Sequence, residues 1–198
     1  MSLDESSLSA AWAWDLISRR QQVSPKWLDH PGPSPEQAMA LWNAAAQAPD
    51  HGLILPWRFV QISDPGRVRL GAAFEQALLE RDPQARPAQR QEAGAKAYRA
   101  PFLALAVARS GRDMHPEIPL AERIASMGCA LQNLLLMAQA QGFGAGLVSG
   151  QAMNSTALRT LFKLGNHEQA VCFVAVGTVR KPKAKRLRPS PSQFVTCL

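Results

Sequence analysis

The sequence predicts an α+β fold in which a mixed central sheet is flanked by helices and one helix is buried at the centre. Residues 102–108 and 170–179 are apolar at nearly every position, as in strands that are covered on both faces. Residues 120–141 lie between them and are apolar nearly all round, which is typical of a central helix. A chain of 198 residues has the length of one domain, so we expect a single domain over residues 1–198.

The other elements are predicted from helix caps, chain breaks and periodicity. Ser34 can cap a helix that begins at Pro35, and Gln37 can complete a capping box. Left-handed glycine caps are expected at Gly142 and Gly165. The remaining predictions are helices at residues 8–18, 34–47, 67–81 and 156–164, an exposed helical stretch at 82–99, strands at 57–62 and 143–149, a loop at 21–33 and a turn at 64–66.

The positive charge is concentrated in one segment near the carboxyl end. The chain has 22 Lys and Arg against 15 Asp and Glu, a net charge of +7, and one run without an acid supplies six of these charges. The run consists of Arg180, Lys181, Lys183, Lys185, Arg186 and Arg188. It is interpreted as a solvated loop, as a loop that faces a phosphate or NADPH, or as a nucleic-acid contact. Because no aromatic residue lies between these charges, we expect no nucleic-acid partner.

The cysteines and histidines form no disulfide or metal-binding pattern. Cys129, Cys172 and Cys197 are odd in number and widely spaced, which excludes a disulfide framework and a Cys-x-x-Cys zinc site. The four histidines lack metal-ligand spacing, so no metal is expected. No apolar run reaches the ~18 residues of a membrane span, and the acidic start differs from a targeting peptide. We therefore expect a cytoplasmic protein without a membrane partner.

The glycines at 142, 144 and 146 follow a predicted helix and open a predicted strand. A dinucleotide-binding fingerprint has the opposite order, so that function is disfavoured. Two interpretations are left: a strand crowded against other backbone, or a strand that a flat ligand approaches closely. Ser149 is disfavoured as a hydrolase nucleophile because Gly-x-Ser-x-Gly is absent. Arg19 and Arg20 could cap the first helix or clamp a phosphate.

Several segments resemble the nitroreductase family, and they occur in the right order along nearly the whole chain. The segments are residues 16–24 with their Arg-Arg pair, 48–51 (Ala-Pro-Asp-His), 56–59 (Pro-Trp-Arg-Phe), 126–144 (the central helix and the strand after it), 176–178 (Val-Gly-Thr) and 194–196 (Phe-Val-Thr). The likeness is to the small bacterial NAD(P)H nitroreductase branch. It implies a homodimer with FMN at the dimer interface. Hydride would pass from NAD(P)H through the flavin to a nitroaromatic, a quinone or a similar small acceptor.

The resemblance also implies a set of cofactor-binding residues. Because the chemistry takes place on FMN, it implies no catalytic side chain. The cofactor-binding set is Arg20, Gln21 and Gln22 for the FMN phosphate and ring edge, Gln47 and His51 from the partner subunit, and Leu147, Val148 and Ser149 along the flavin.

Five positions depart from the family pattern. The family usually has serine at Gln22, arginine at Gln47, glutamine at Leu55, and a Trp-Arg pair at Leu147 and Val148. Several polar contacts to the flavin are therefore replaced. These departures leave an alternative function open, a non-catalytic flavin- or ligand-binding protein of the same fold.

Overall fold

A computed structural model describes residues 5–111, 115–184 and 186–198, so Lys185 of the basic run lies outside the described residues. Six helices and five strands are found in these ranges, in the order α1 (Glu5–Arg19), β1 (Leu28–Asp29), α2 (Pro35–Ala45), β2 (Trp57–Gln61), α3 (Asp64–Arg81), α4 (Pro87–Ala95), β3 (Phe102–Arg109), α5 (Leu120–Ala140), β4 (Gly144–Val148), α6 (Thr156–Leu161) and β5 (Glu168–Val179). Short 3-10 turns connect several of them. No helix in the described ranges is long and apolar enough to span a bilayer.

The five strands form one sheet built around β5. The order is β1-β5-β3-β2, and β4 also pairs with β5. All of these strand pairs are antiparallel, with Gly144 opposite Gly177 and Trp57 opposite Ala108. One isolated bridge, between Gln22 and Ala145 of β4, is parallel. The α+β class predicted from the sequence is confirmed.

Both faces of the sheet are covered by helices, as the apolar runs predict. Alternate residues of β3 point to opposite sides: Ala104 and Ala106 belong to the core with α2 and α5, and Leu105 and Val107 to the core with α3 and α6. All four are fully buried.

Helix α5 is central on one side only. Leu134 and Met127 are buried against the sheet, but Ile124 is 44% exposed and Cys129 is also exposed. The exposed side continues through small residues, Ala121, Ala125 and Gly128. The predicted central helix is therefore buried on the side that faces the sheet, and its opposite side is apolar but exposed in the single chain.

Local capping decides where several other elements begin and end. The capping box of Ser34 and Gln37 is present, and Gly142 has the left-handed conformation (φ +83°) predicted for it. The turn predicted at residues 64–66 is instead the first turn of α3, because the Ser63 hydroxyl accepts from the Gly66 N–H. Lys163 (φ +49°), not Gly165, is the left-handed residue after α6.

Two segments differ from their predictions, one predicted as a loop and one as an exposed helical stretch. The loop predicted at 21–33 includes β1, which pairs with the end of β5. The exposed helical stretch predicted at 82–99 contains α4, and Ala93 and Ala97 in it are buried under α3.

A carboxylate at the start of β5 ties the ends of three strands together. Glu168 accepts from Arg58 on β2 at 2.7 and 2.8 Å and lies 3.5 Å from Arg109 on β3. The hydrogen bonds from Arg58 hold the pKa of Glu168 at about 2, below its ordinary 4.5. Because the folded pKa is lowered, the stability from this cluster is present above about pH 5 and is lost as the pH falls from 4.5 towards 2.

Glu168→Gln is expected to lower the free energy of unfolding at pH 7 by about 1–3 kcal/mol, the contribution of hydrogen bonds to charged groups. Urea unfolding at pH 7, 4 and 3 measures it, and the gap to the wild type should narrow as the pH falls. The exposed Glu92→Gln serves as the control, with a change within about 0.5 kcal/mol. A gap that stays constant with pH would contradict the assigned role.

Candidate functional site

The segment that follows α1 lies along the edge of β4. The Val23 N–H donates to the Ala145 carbonyl at 3.0 Å. One residue earlier, the Gln22 side chain donates to the Leu147 carbonyl at 2.5 Å and accepts from the Leu147 N–H at 3.2 Å. The side-chain amide of Gln22 thus pairs with the backbone of Leu147 as a neighbouring strand would. Its N–H and its C=O each have a partner within the protein.

The glycines of β4 allow this close approach. A Cβ at Gly146 would overlap the Val23 carbonyl oxygen, and one at Gly144 would meet the side chains of Val179 and Leu28. The first interpretation of the glycine motif, a strand crowded against other backbone, is confirmed at Gly146, and the approach of a flat ligand stays a prediction. Gly150 differs, since a Cβ there would meet nothing within 4 Å.

Part of the basic run packs on the segment at residues 20–22. Lys183 donates to the Gln22 carbonyl at 3.2 Å, and Gln21 donates to the Lys183 carbonyl at 3.5 Å. Arg188 donates to the Arg20 carbonyl at 3.4 Å. We call Arg20, Lys183 and Arg188 the cation cluster. Residues separated by about 160 positions in the chain are thereby brought together.

The cation cluster holds like charges close to one another. Burial lowers the pKa of Arg20, and the positive charge of Arg188 lowers it further. Arg19, in contrast, points to Asp15 at 2.6 Å on the exposed side of α1. Among the described residues no carboxylate pairs with Arg20, so an external anion would relieve the repulsion within the cluster.

The first part of the basic run surrounds an indole ring. Arg180, Lys26 and Lys181 lie 5.1, 5.4 and 5.5 Å from the centroid of Trp27, within the range of cation–π contacts. Arg180 also lies 3.4 Å from Asp29. This part of the run is therefore anchored to the protein rather than free in solvent.

A cavity of about 600 Å³ opens at the end of β4, on the side of the sheet that carries α3. Val148 and Ser149, both predicted site residues, form one wall with Gly150. The opposite wall comes from α3, α4 and the turn after α4; its charged residues are Arg81, Glu92, Lys96 and Arg99. The sequence reasoning missed these four, although the cations at 96 and 99 directly before a buried strand could have suggested them.

Gln47 and His51 lie on a different part of the surface. Both are exposed, and His51 Nδ1 is 2.8 Å from a Glu122 carboxylate oxygen at the start of α5. Neither lines the cavity or hydrogen-bonds residues 20–22 in the described structure. The structure thus groups Arg20, Gln21, Gln22, Leu147, Val148 and Ser149, and it leaves Gln47 and His51 outside this group.

The loop that carries His51 is held in a strained conformation. Leu53 and Leu55 have positive φ angles of 53° and 47°, which is uncommon for bulky residues. Asp50 accepts from the Leu55 N–H at 2.7 Å, and Arg109 donates to the Leu55 carbonyl at 3.4 Å. Leu53 in this loop is 87% exposed, and His51 is exposed beside Glu122.

The described residues contain no group of histidines, cysteines and carboxylates that could hold a metal ion. Among the described residues, no histidine lines the cavity with Ser149 or hydrogen-bonds to it. The arrangement offers a cluster of cations that could bind an external anion, on the segment that lies along β4, and a cavity at the end of that strand.

The fold matches solved structures along the whole chain. A nitroreductase-like family protein from Bacillus cereus superposes with a TM-score of 0.79 at 18% identity, covering 100% of this chain and 99% of that one. A "Putative NADH dehydrogenase/NAD(P)H nitroreductase" from Bacteroides thetaiotaomicron has a TM-score of 0.66 at 19% identity, with coverage of 93% and 96%. The fold therefore places the chain in the nitroreductase-like class of α+β proteins.

The chain belongs to the nitroreductase family, whose model matches residues 17–178. It is similar to the "Putative NAD(P)H nitroreductase" of Haemophilus influenzae, at 32% identity over 187 residues that cover 94% of this chain and 99% of the relative. The "Putative NAD(P)H nitroreductase YdjA" of Escherichia coli K12 is 31% identical over 182 residues, with coverage of 91% and 96%. The family resemblance inferred from the sequence is confirmed, and membership supports oxidoreductase activity.

Proposed function

We propose that the protein is an FMN-dependent oxidoreductase that transfers hydride from NAD(P)H to a nitroaromatic, a quinone or a similar small acceptor. The observation that carries the proposal is the cation cluster of Arg20, Lys183 and Arg188 beside the glycine-rich end of β4. For a nitro acceptor the balanced two-electron reaction is NAD(P)H + H⁺ + R–NO₂ → NAD(P)⁺ + R–NO + H₂O.

The residues present fit the two ends of FMN. A phosphate monoester carries a charge of about −1.5 to −2 at neutral pH, which the three cations of the cluster can neutralise. The ring edge would lie along Leu147, Val148 and Ser149, of which Val148 and Ser149 border the cavity. The flavin supplies the hydride chemistry when bound, and the protein binds it, orients it and limits access of water.

A second copy of the chain would complete the site. The exposed side of α5, with Ile124, is a surface that a partner could cover, and Trp12 and Trp14 on α1 are 77% and 70% exposed. Apolar surface of this kind typically marks a protein contact. In the homodimer, the exposed Gln47 and His51 would reach the flavin of the partner subunit. A reducing cytoplasm is the proposed compartment because all three cysteines are free.

The alternative, a non-catalytic flavin- or ligand-binding protein, is supported by one specific contact. Gln22 stands where the family usually has serine, and both ends of its amide are bonded to Leu147. Less of its hydrogen-bonding capacity is left for a cofactor. With FMN and an acceptor present, the enzyme would oxidise NAD(P)H at steady state, whereas the binding protein would not.

One chromatography experiment tests the cofactor and the dimer together. The protein, mixed with FMN, is passed over a size-exclusion column with light scattering and absorbance detection between 350 and 500 nm. The expected result is a yellow peak at twice the mass of 21.5 kDa, which then oxidises NAD(P)H when an acceptor is added. A colourless peak would reject FMN binding, a yellow monomer would reject the shared site, and a yellow dimer without turnover would favour the alternative.

A further inference from the structure

The cavity at the end of β4 contains cations that have no partner. Arg81 ends α3, and Lys96 and Arg99 lie between α4 and β3. In residues 5–111, 115–184 and 186–198, the side chains of these three form no hydrogen bond or ion pair. Glu92 is the acid on the described lining, so the cavity has a net charge of +2 (3 − 1).

Other arginines of this protein, unlike those of the cavity, have hydrogen-bond or ion-pair partners within the fold. Arg58 pairs with Glu168 at 2.7 Å. Arg67 donates to the carbonyls of Ala97 and Pro101 at 2.8 and 2.7 Å. Arg159 donates to the Gly165 carbonyl at 2.9 Å. Each has a role within the protein, whereas the cations of the cavity face its open volume and are available to an external anion.

The other walls of the cavity are apolar and partly aromatic. Phe173, Met153 and Leu103 are buried at its base, and Phe74 borders it from α3. A volume of about 600 Å³ is in the range of small-molecule sites, which combine apolar walls with a few placed polar groups. A ligand that satisfies both features has a flat apolar body and an anionic substituent.

We propose that this cavity binds the acceptor and selects aromatic acceptors that carry a carboxylate or another anionic group. The proposal rests on the proposed function, because the cavity borders Val148 and Ser149, where the ring of FMN is expected to lie. Arg99 and Lys96 bind the anionic oxygens through charge-assisted hydrogen bonds. The apolar base contacts the aromatic ring.

Two probes that differ in charge but share their shape test the proposal without turnover. Isothermal titration at pH 7 compares 4-nitrobenzoate with its neutral isostere 4-nitrobenzamide. We expect the wild type to bind the anion about tenfold more tightly or better. Arg99→Gln and, separately, Lys96→Gln should reduce that preference severalfold. Arg69→Gln, at an exposed position of α3 outside the cavity lining, removes the same charge; it is the matched control and should keep the preference.

Several results would overturn the proposal. They are equal affinity of the wild type for the two probes, an unchanged preference in both cavity variants, and an equal loss in Arg69→Gln. Displacement of 4-nitrobenzoate by FMN would also overturn it, because ring and acceptor would then occupy the same space. Melting temperatures confirm that the variants fold, and Lys96 is exposed enough to tolerate substitution. A protein that prefers the anion but binds no FMN would instead reject the proposed function alone.

Discussion

Gly146→Ala is expected to lower the free energy of unfolding by about 2–3 kcal/mol, in the range of overpacked cores. The added methyl group would overlap the Val23 carbonyl oxygen and press on the Gln22 amide. Either the segment at 20–24 moves away and loses the bond from Val23 to Ala145, or β4 is displaced from β5. Urea unfolding at pH 7 measures the loss.

Gly150→Ala is the matched control at the end of the same strand. Gly150 has an extended backbone (φ −178°), and a Cβ there has open space around it. Its free energy of unfolding should stay within about 0.5 kcal/mol of the wild type. If both substitutions have the same effect, the close approach of the segment at 20–24 does not explain the glycine at 146.

The two central strands were predictable because their packing leaves a local pattern. Each face of β3 contacts a different set of helices, so every position is buried and the sequence is apolar without a break. The capping box at Ser34 was predictable for a similar reason, since its partners are three residues apart. The exposed side of α5 was not, because a residue such as Ile124 is equally apolar whether it faces a core or a partner subunit.

Contacts that cross the chain could not be predicted from local patterns. Gln22 and Leu147 are 125 residues apart, and their pairing depends on where α1 ends relative to β4. Arg81 and Arg99 meet at one cavity only because α4 folds back on α3. The family resemblance assigned Arg20 and Ser149 to one site by position. The structure adds that the segment carrying Arg20 lies along the strand that ends before Ser149, through the bridge between Gln22 and Ala145.

Arg20→Ala is expected to weaken FMN binding about 10- to 100-fold, the effect of losing one charge-assisted hydrogen bond of about 1.5–3 kcal/mol. Arg20 is half-buried beside Arg188, so its charge is less screened by water than that of a fully exposed arginine. Titration of the apoprotein with FMN, followed by quenching of flavin fluorescence, measures the dissociation constant.

Arg19→Ala separates this role from a general loss of positive charge. Arg19 is the preceding residue, and it is paired with Asp15 on the exposed surface of α1, where an ion pair contributes only about 0–1 kcal/mol to stability. Its removal changes the net charge of the protein by the same amount but leaves the cation cluster intact, so the affinity for FMN should change less than about twofold. An equal loss in the two variants would mean that long-range attraction, not a phosphate contact, connects Arg20 to the cofactor. Unchanged affinity in Arg20→Ala would remove the cation cluster from the phosphate site and leave Lys183 and Arg188 as supports for the chain at residues 20–22.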